Sequence, residues 1–202
     1  MPKIVDHDAR RHEYMEAMWR VVERDGAAAV STRSVAAEAG YSKSNIRYYF
    51  DSQAALMGAA VEQIMRITGE RAAAFDVSKL DHDMAVRMVM LAIPDSPARR
   101  RQTAIWLTLI THMESNPELK PILKGLNRAV RSAVEGFVAA LEERSMLGRG
   151  RDRAFEVERL HALIDGLSVQ TMYDRSMMPP SAIRRIVSAH LDEMARPVAR
   201  GR

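Results

Sequence analysis

The 202-residue chain predicts an all-α protein of about nine helices, and three observations predict it. Apolar residues recur at helical spacing in every long segment, and no segment alternates apolar and polar residues as a half-buried strand would. The breaks between segments carry helix start and stop residues. Residues 1–52 read as a three-helix head, and residues 53–202 as a larger helical part.

The first nine residues are polar. Over residues 11–25, Met15, Met18, Trp19 and Val22 hold the i, i+3, i+4, i+7 spacing of a helix packed on a core, with Trp19 read as part of that core. Gly26 ends the helix. Residues 30–53, VSTRSVAAEAGYSKSNIRYYFDSQ, then read as two short helices across a tight turn. Ser31 is an N-cap for residues 32–39, because its hydroxyl can accept from an otherwise unpaired amide of the first turn. Gly40 sits where the chain must turn left-handed, a conformation that costs glycine little. Ser42 caps a second helix over residues 43–50. This is the helix-turn-helix pattern.

The period of the second helix decides what it offers. Ile46 and Phe50, four apart, face inward onto Val35, Ala36 and Ala39. Lys43, Ser44, Arg47 and Tyr48 then face outward, with Asn45 and Tyr49 at the edges. Such groups suit base edges and phosphates in a major groove. A solvated surface helix would carry several of the same residues, but two exposed tyrosines beside an arginine favour DNA. Lys3, Arg10 and Arg11 are then within reach of a DNA backbone.

The segment resembles the DNA-binding domain of the TetR family of transcriptional regulators. The resemblance is carried by the first helix, Gly26, Ser31-Thr32-Arg33, Ala36, Ala39-Gly40, Ser42-Lys43, Tyr48-Tyr49-Phe50 and Leu56. It implies contacts to a double-stranded DNA operator from Ser31, Thr32, Arg33, Ser42, Lys43, Ser44, Asn45, Arg47, Tyr48, Tyr49 and Gln53. The family usually has a lysine or similar residue where this chain has Gln53, which shifts the phosphate charge onto Lys43 and Arg47.

Residues 53–74 read as a long helix with Leu56, Ala60, Ile64 and Ile67 on one face. Gly58 and Gly69 each weaken it by up to ~1 kcal/mol relative to alanine, which close helix contacts would explain. Residues 76–80 are a break, and Asp81 caps a short helix to Ile93. Ser96 and Pro97 start the next, a cap followed by proline at the first helical position. That helix, to Glu114, opens on Arg99, Arg100 and Arg101, which oppose its dipole and call for ion pairs or solvent. Ile105, Trp106, Leu107, Leu109, Ile110 and Met113 then make it apolar nearly all round, as a buried central strut is. Asn116-Pro117 separates it from a helix reaching Arg144 through Leu123, Leu126, Val130, Val134, Phe137 and Leu141. SMLGRGRDR reads as an arginine-rich surface loop. Residues 154–173 and 181–195 form the last two helices, separated by Pro179-Pro180.

Those two helices carry apolar stripes wider than one partner needs. Packing two such pairs across a two-fold axis would bury them, and the TetR resemblance implies such a homodimer. The expected interface is Leu160, Ile164, Leu167, Thr171, Ile183, Ile186, Val187, His190, Leu191 and Met194. It would place two reading helices about one DNA turn apart, ~34–36 Å, as a palindromic operator requires.

WLTLITHMESNPELKPIL, RLHALIDGLSVQTM and SAHLDEMAR, spread over residues 106–196, resemble the C-terminal domain of BetI-type regulators. The resemblance makes residues 53–202 a ligand-binding and dimerisation domain, and residues 1–52 the DNA-binding domain. Trp106, Ile110 and Met113 share a face and could line a pocket with Asp165, Gln170 and Tyr173. The expected effector is cationic or apolar, since an indole attracts cations and a carboxylate balances them. Each of these residues also fits ordinary helix packing.

Composition excludes several functions. With no cysteine, disulfide frameworks and thiolate metal sites are unavailable. The opening residues lack the apolar core of a signal peptide, and no run reaches the ~18 apolar residues of a membrane span. A cytoplasmic protein without a membrane partner is expected. The formal charge of +4 does not lie in the head. There, Lys3, Arg10, Arg11, Arg20, Arg24, Arg33, Lys43 and Arg47 are matched by Asp6, Asp8, Glu13, Glu16, Glu23, Asp25, Glu38 and Asp51. Phosphate attraction must come from local placement. His161 and Asp165 have a spacing that could suit a metal, but a helix-stabilising pair is simpler, and neither a phosphate loop nor a nucleophile elbow occurs. No enzymatic activity, cofactor or metal is expected. The reading is a repressor released by ligand. The alternative is a helical adaptor that binds protein and has lost DNA binding.

Overall fold

The computed structural model describes residues 7–174 and 176–198, and among them nine α-helices and two short 3-10 turns. In order these are α1 (His7–Asp25), α2 (Thr32–Glu38), α3 (Lys43–Arg47), α4 (Gln53–Ala73), α5 (His82–Met90), α6 (Pro97–His112), α7 (Leu119–Glu143), α8 (Arg153–Tyr173) and α9 (Pro180–Ala195). The all-α expectation holds, with boundaries within a few residues of those read from the sequence. Asp81 caps α5 through a 2.7 Å bond from the Met84 amide, as its position predicts. Lys3 lies outside the described residues.

The chain divides into two compact units, one running to Ile64 and including Arg101–Lys124, the other comprising Met65–Arg100 and everything from Gly125 onward. In the first, α1 buries Tyr14, Met15, Ala17, Met18, Val21 and Val22, the predicted stripe plus its neighbours. Trp19 is only half-buried, and its indole N–H donates to Gln63 Oε1 at 2.8 Å. The first half of α4 closes this core with Ala54, Leu56, Met57, Ala59, Ala60 and Val61. A Cβ added at Gly58 would meet Ile122 at 3.7 Å, an ordinary contact, and one at Gly69 would meet open space, so neither glycine is required by a close helix approach. Helix α6 departs from the expected central strut: only Ile105, Thr108 and Leu109 are buried, and Trp106, Leu107 and Ile110 stay half-covered. Of its arginines, Arg101 pairs with Glu23 at 3.0 Å and Arg99 with Asp95.

In the second unit, Ala85, Val86, Val89 and Ile93 meet Val134, Val138 and Leu141 of α7 and the inner faces of α8 and α9. Those inner faces correct the expected interface. Leu160, Ile164, Leu167, Thr171, Ile183, Val187, Leu191 and Met194 retain at most 6% of their surface within the single chain. Side chains already covered have nothing left for a second copy to bury. Of the ten residues, only Ile186 is exposed and His190 half-buried.

The expected surface loop is a clasp instead. Arg151 keeps 7% of its side-chain surface, pairing with Glu156 at 2.8 Å and Glu193 at 2.7 Å. His190 lies beside this cluster with its Nε2 buried and unpartnered. Burial lowers its pKa from 6.5, and the charges of Arg159 and Arg151 lower it further against Glu156 and Glu193. The unfolded chain therefore takes up this proton first as pH falls, so the contribution is intact above about 6.5 and lost progressively below it. The melting temperature should fall from pH 7.5 to 5.5, and less steeply in His190→Gln; equal slopes in the two proteins would contradict it.

Candidate nucleic-acid interface

The turn between α2 and α3 is built by local bonds. Ser31 Oγ accepts from the Ser34 amide at 3.0 Å, and Ser34 Oγ accepts from the Ser31 amide at 2.9 Å, a reciprocal capping box. Helix α2 ends in a Schellman motif: Tyr41 N–H bonds the Ala36 carbonyl at 2.9 Å and Gly40 N–H the Ala37 carbonyl at 3.1 Å. Gly40 holds φ +75°, the left-handed conformation the sequence reading requires of it. Ser42 Oγ then accepts from the Asn45 amide at 3.3 Å and starts α3.

Helix α3 is shorter than expected because its last turn tightens. Tyr48 and Tyr49 N–H bond the carbonyls three residues back, at 3.2 and 2.9 Å, as the chain bends to bury Phe50. The faces fall as the period predicts. Ile46 and Phe50 are buried; Lys43, Ser44, Asn45, Arg47 and Tyr48 are exposed, Tyr48 at 75%. A phenol so open on a helix of lysine, arginine and amide groups presents donors and a flat apolar ring to whatever docks there. Arg33 and Ser42 are also exposed, while Ser31 and Thr32 are half-buried at the start of α2.

Three predicted contacts are engaged within the protein. Gln53 Nε2 donates one of its two hydrogens to the Val30 carbonyl at 2.8 Å, tying the start of α4 to the entrance of α2. Tyr49 is half-buried, its ring 4.5 Å from His7 and 5.5 Å from Tyr14. Asn45 Oδ1 accepts the Tyr14 hydroxyl at 2.6 Å. Arg10 and Arg11, expected near a DNA backbone, are internal as well. Arg10 pairs with Glu13 at 3.1 Å and lies 4.0 Å over the Tyr41 ring; Arg11 lies 4.5 Å over Phe50. Sequence reading missed Tyr14, which sits four residues before Met18 on the same buried stripe.

The remaining candidates separate. Trp106, Ile110 and Met113 are half-buried in the first unit. Asp165, in the second, is half-buried, and burial raises its carboxyl above the usual range, an effect His161 opposes at 3.9 Å. Gln170 is exposed and Tyr173 89% exposed, so neither closes a pocket within one chain, and both leave the expected pocket set. No group of three metal-binding side chains occurs among the described residues, and none of their helices is long and apolar enough to cross a membrane.

Two capped helices across a glycine turn, with the second presenting a polar and aromatic face, define a helix-turn-helix protein. Residues 15–60 match the model of bacterial regulatory proteins of the tetR family, and residues 81–196 that of the BetI-type transcriptional repressor C-terminal domain. The chain belongs to the TetR family of transcriptional regulators, with a C-terminal domain of the BetI type. It is 27% identical to the HTH-type transcriptional regulator PksA of Bacillus subtilis over 96% of this chain and 94% of that one. Among solved structures, a transcriptional regulator from Rhodococcus sp. Rha1 superposes with a TM-score of 0.77 at 17% identity, over 91% of this chain and 95% of that one. A regulator from Saccharomonospora viridis in complex with choline gives 0.72 at 22% identity, over 92% and 95%.

Proposed function

We propose that this regulator is a cytoplasmic homodimeric repressor, without enzymatic activity, that binds a palindromic operator and is released by a small cationic or apolar effector. Residues 1–52 form the DNA-binding domain and residues 53–202 the effector and dimerisation domain. The observation that carries the reading is the exposed face of α3, with Lys43, Ser44, Asn45, Arg47 and Tyr48 standing clear of a core held by Ile46 and Phe50. Arg33 and Ser42 flank it. The choline bound by the Saccharomonospora viridis regulator supports a cationic effector. Trp106, Ile110 and Met113, together in the first unit, remain the candidate lining.

The dimer uses the outer faces of α8 and α9, not the inner ones. Phe155, Ala162, Gly166, Val169 and Tyr173 recur at helical spacing along α8, all exposed, and Ile186 and Ala189 lie open on α9. Small residues at Ala162, Gly166 and Ala189 let helices approach closely, with larger apolar groups on either side. A second copy of the chain covers this stripe in a four-helix contact. Effector binding would alter the spacing of the two α3 helices, and a shift of a few ångströms breaks their fit to successive grooves.

The test is binding of the full-length protein to DNA from upstream of its own gene. Arg47→Ala and Tyr48→Ala should each weaken binding by about 1–3 kcal/mol, on the order of 5- to 150-fold, with sedimentation still showing a dimer. Wild-type binding should weaken steeply with salt. Unchanged affinity in both variants would place the reading surface elsewhere.

A further inference from the structure

Tyr14 belongs to α1, yet its hydroxyl ends on α3. Its ring is fully buried among Tyr41, Tyr49 and Phe50, at centroid distances of 5.6, 5.5 and 6.4 Å. From there the hydroxyl bonds Oδ1 of the exposed Asn45 at 2.6 Å. Burial decides the direction of that bond. A phenol has one hydrogen to donate, and leaving it unpaired inside a protein costs about 1–3 kcal/mol. Burial also raises the Tyr14 pKa, so the hydrogen stays on the oxygen at neutral pH. The amide of Asn45 is thereby oriented: its oxygen points inward at Tyr14, and its N–H₂ branch points away.

An asparagine that reads adenine in the major groove needs both ends of its amide, accepting from N6 and donating to N7. With its oxygen turned inward onto Tyr14, Asn45 presents its N–H₂ outward and is not set to lay both ends of the amide along one adenine. We infer that Tyr14 is a specificity-positioning residue, which through its bond to Asn45 turns the amide N–H₂ of α3 toward a single major-groove acceptor, a purine N7 or a keto oxygen, instead of the paired contact to N6 and N7 of adenine. The inference rests on the reading of α3 as the DNA-contacting helix.

Full-length wild type, Tyr14→Phe, Asn45→Ala and the double variant are each used to enrich duplexes from a randomised library, with folding checked by thermal melting. Asn45→Ala identifies the pair the amide reads, as the one whose base preference flattens. Tyr14→Phe is expected to change preference at that pair alone, by threefold or more, and to change nothing further in the Asn45→Ala background. The pair should be G·C, or an A·T pair at which 2-aminopurine, which lacks the major-groove amine of adenine, leaves wild-type affinity within twofold. A tenfold loss with 2-aminopurine overturns the inference. So does a folded Tyr14→Phe with unchanged preference, or one altered at every position. If Asn45→Ala weakens all sequences equally, its amide meets a phosphate; the inference then fails while α3 remains the reading helix. Failure of wild type to enrich any duplex sinks the DNA reading as well. Should Tyr14→Phe not fold, the wild-type and Asn45→Ala arms with 2-aminopurine decide alone.

Discussion

Replacing Arg151 by methionine should destabilise the chain by about 3 kcal/mol, the lower end of what removing one partner of a buried ion pair costs. Arg151 lies just before α8 and pairs with Glu156 of its first turn, which keeps 2% of its side-chain surface. Its guanidinium also donates to the Arg196 carbonyl at 2.9 Å and reaches both the carbonyl and the carboxylate of Glu193. Methionine fills similar volume but leaves Glu156 to Arg159 alone, at 3.0 Å, and frees the carbonyls that end α9. The remaining Arg159 bond is the reason for the lower figure. Urea unfolding of the single variant, and of Arg151→Met with Glu156→Gln, separates the charge from the packing: the second change should recover part of the loss by removing the unpaired carboxylate. A loss below about 1 kcal/mol would mean the pair behaves like an exposed one.

Most of the fold was legible because the signals that mark helices act over a few residues. Ser31, Ser42 and Asp81 cap as read, since a cap bonds an amide two or three positions away. Gly40 turns left-handed because the Schellman bonds reach only back to Ala36 and Ala37. What stayed hidden depends on partners far along the chain. The tether from Gln53 has its acceptor, the Val30 carbonyl, 23 residues earlier, where no local signal shows it. Arg151 looked like a loop charge because Glu193 lies 42 residues later. Helix α8 shows a third limit. Periodicity finds a stripe but does not say what covers it, and α8 has two. The richer one, through Leu160, Ile164 and Leu167, went to the chain's own core. The sparser one, through Ala162, Gly166 and Val169, stays exposed.

Gly148→Ala should cost about 3 kcal/mol, the upper end of the usual range for overpacking. A Cβ at Gly148 would overlap the Arg196 carbonyl oxygen and lie 2.9 Å from the Pro197 nitrogen. Both obstacles are backbone, so no side chain can swing aside, and Gly148 N–H is already bonded to the Met194 carbonyl at 2.9 Å. Relief requires moving the loop between α7 and α8 off the end of α9, where Arg151 also holds it. The two variants therefore act on one contact, and their combination should cost less than the sum of the singles. Gly69→Ala is the control, because open space surrounds that helical glycine; it should stabilise by up to about 1 kcal/mol. The same methylene is thus expected to act with opposite signs at the two sites, a contrast thermal unfolding reads directly. Equal effects would mean the loop does not press on α9. The end of α9 would then be free to shift, and the outer stripe it carries beside α8 would lose the fixed register that a two-fold contact needs.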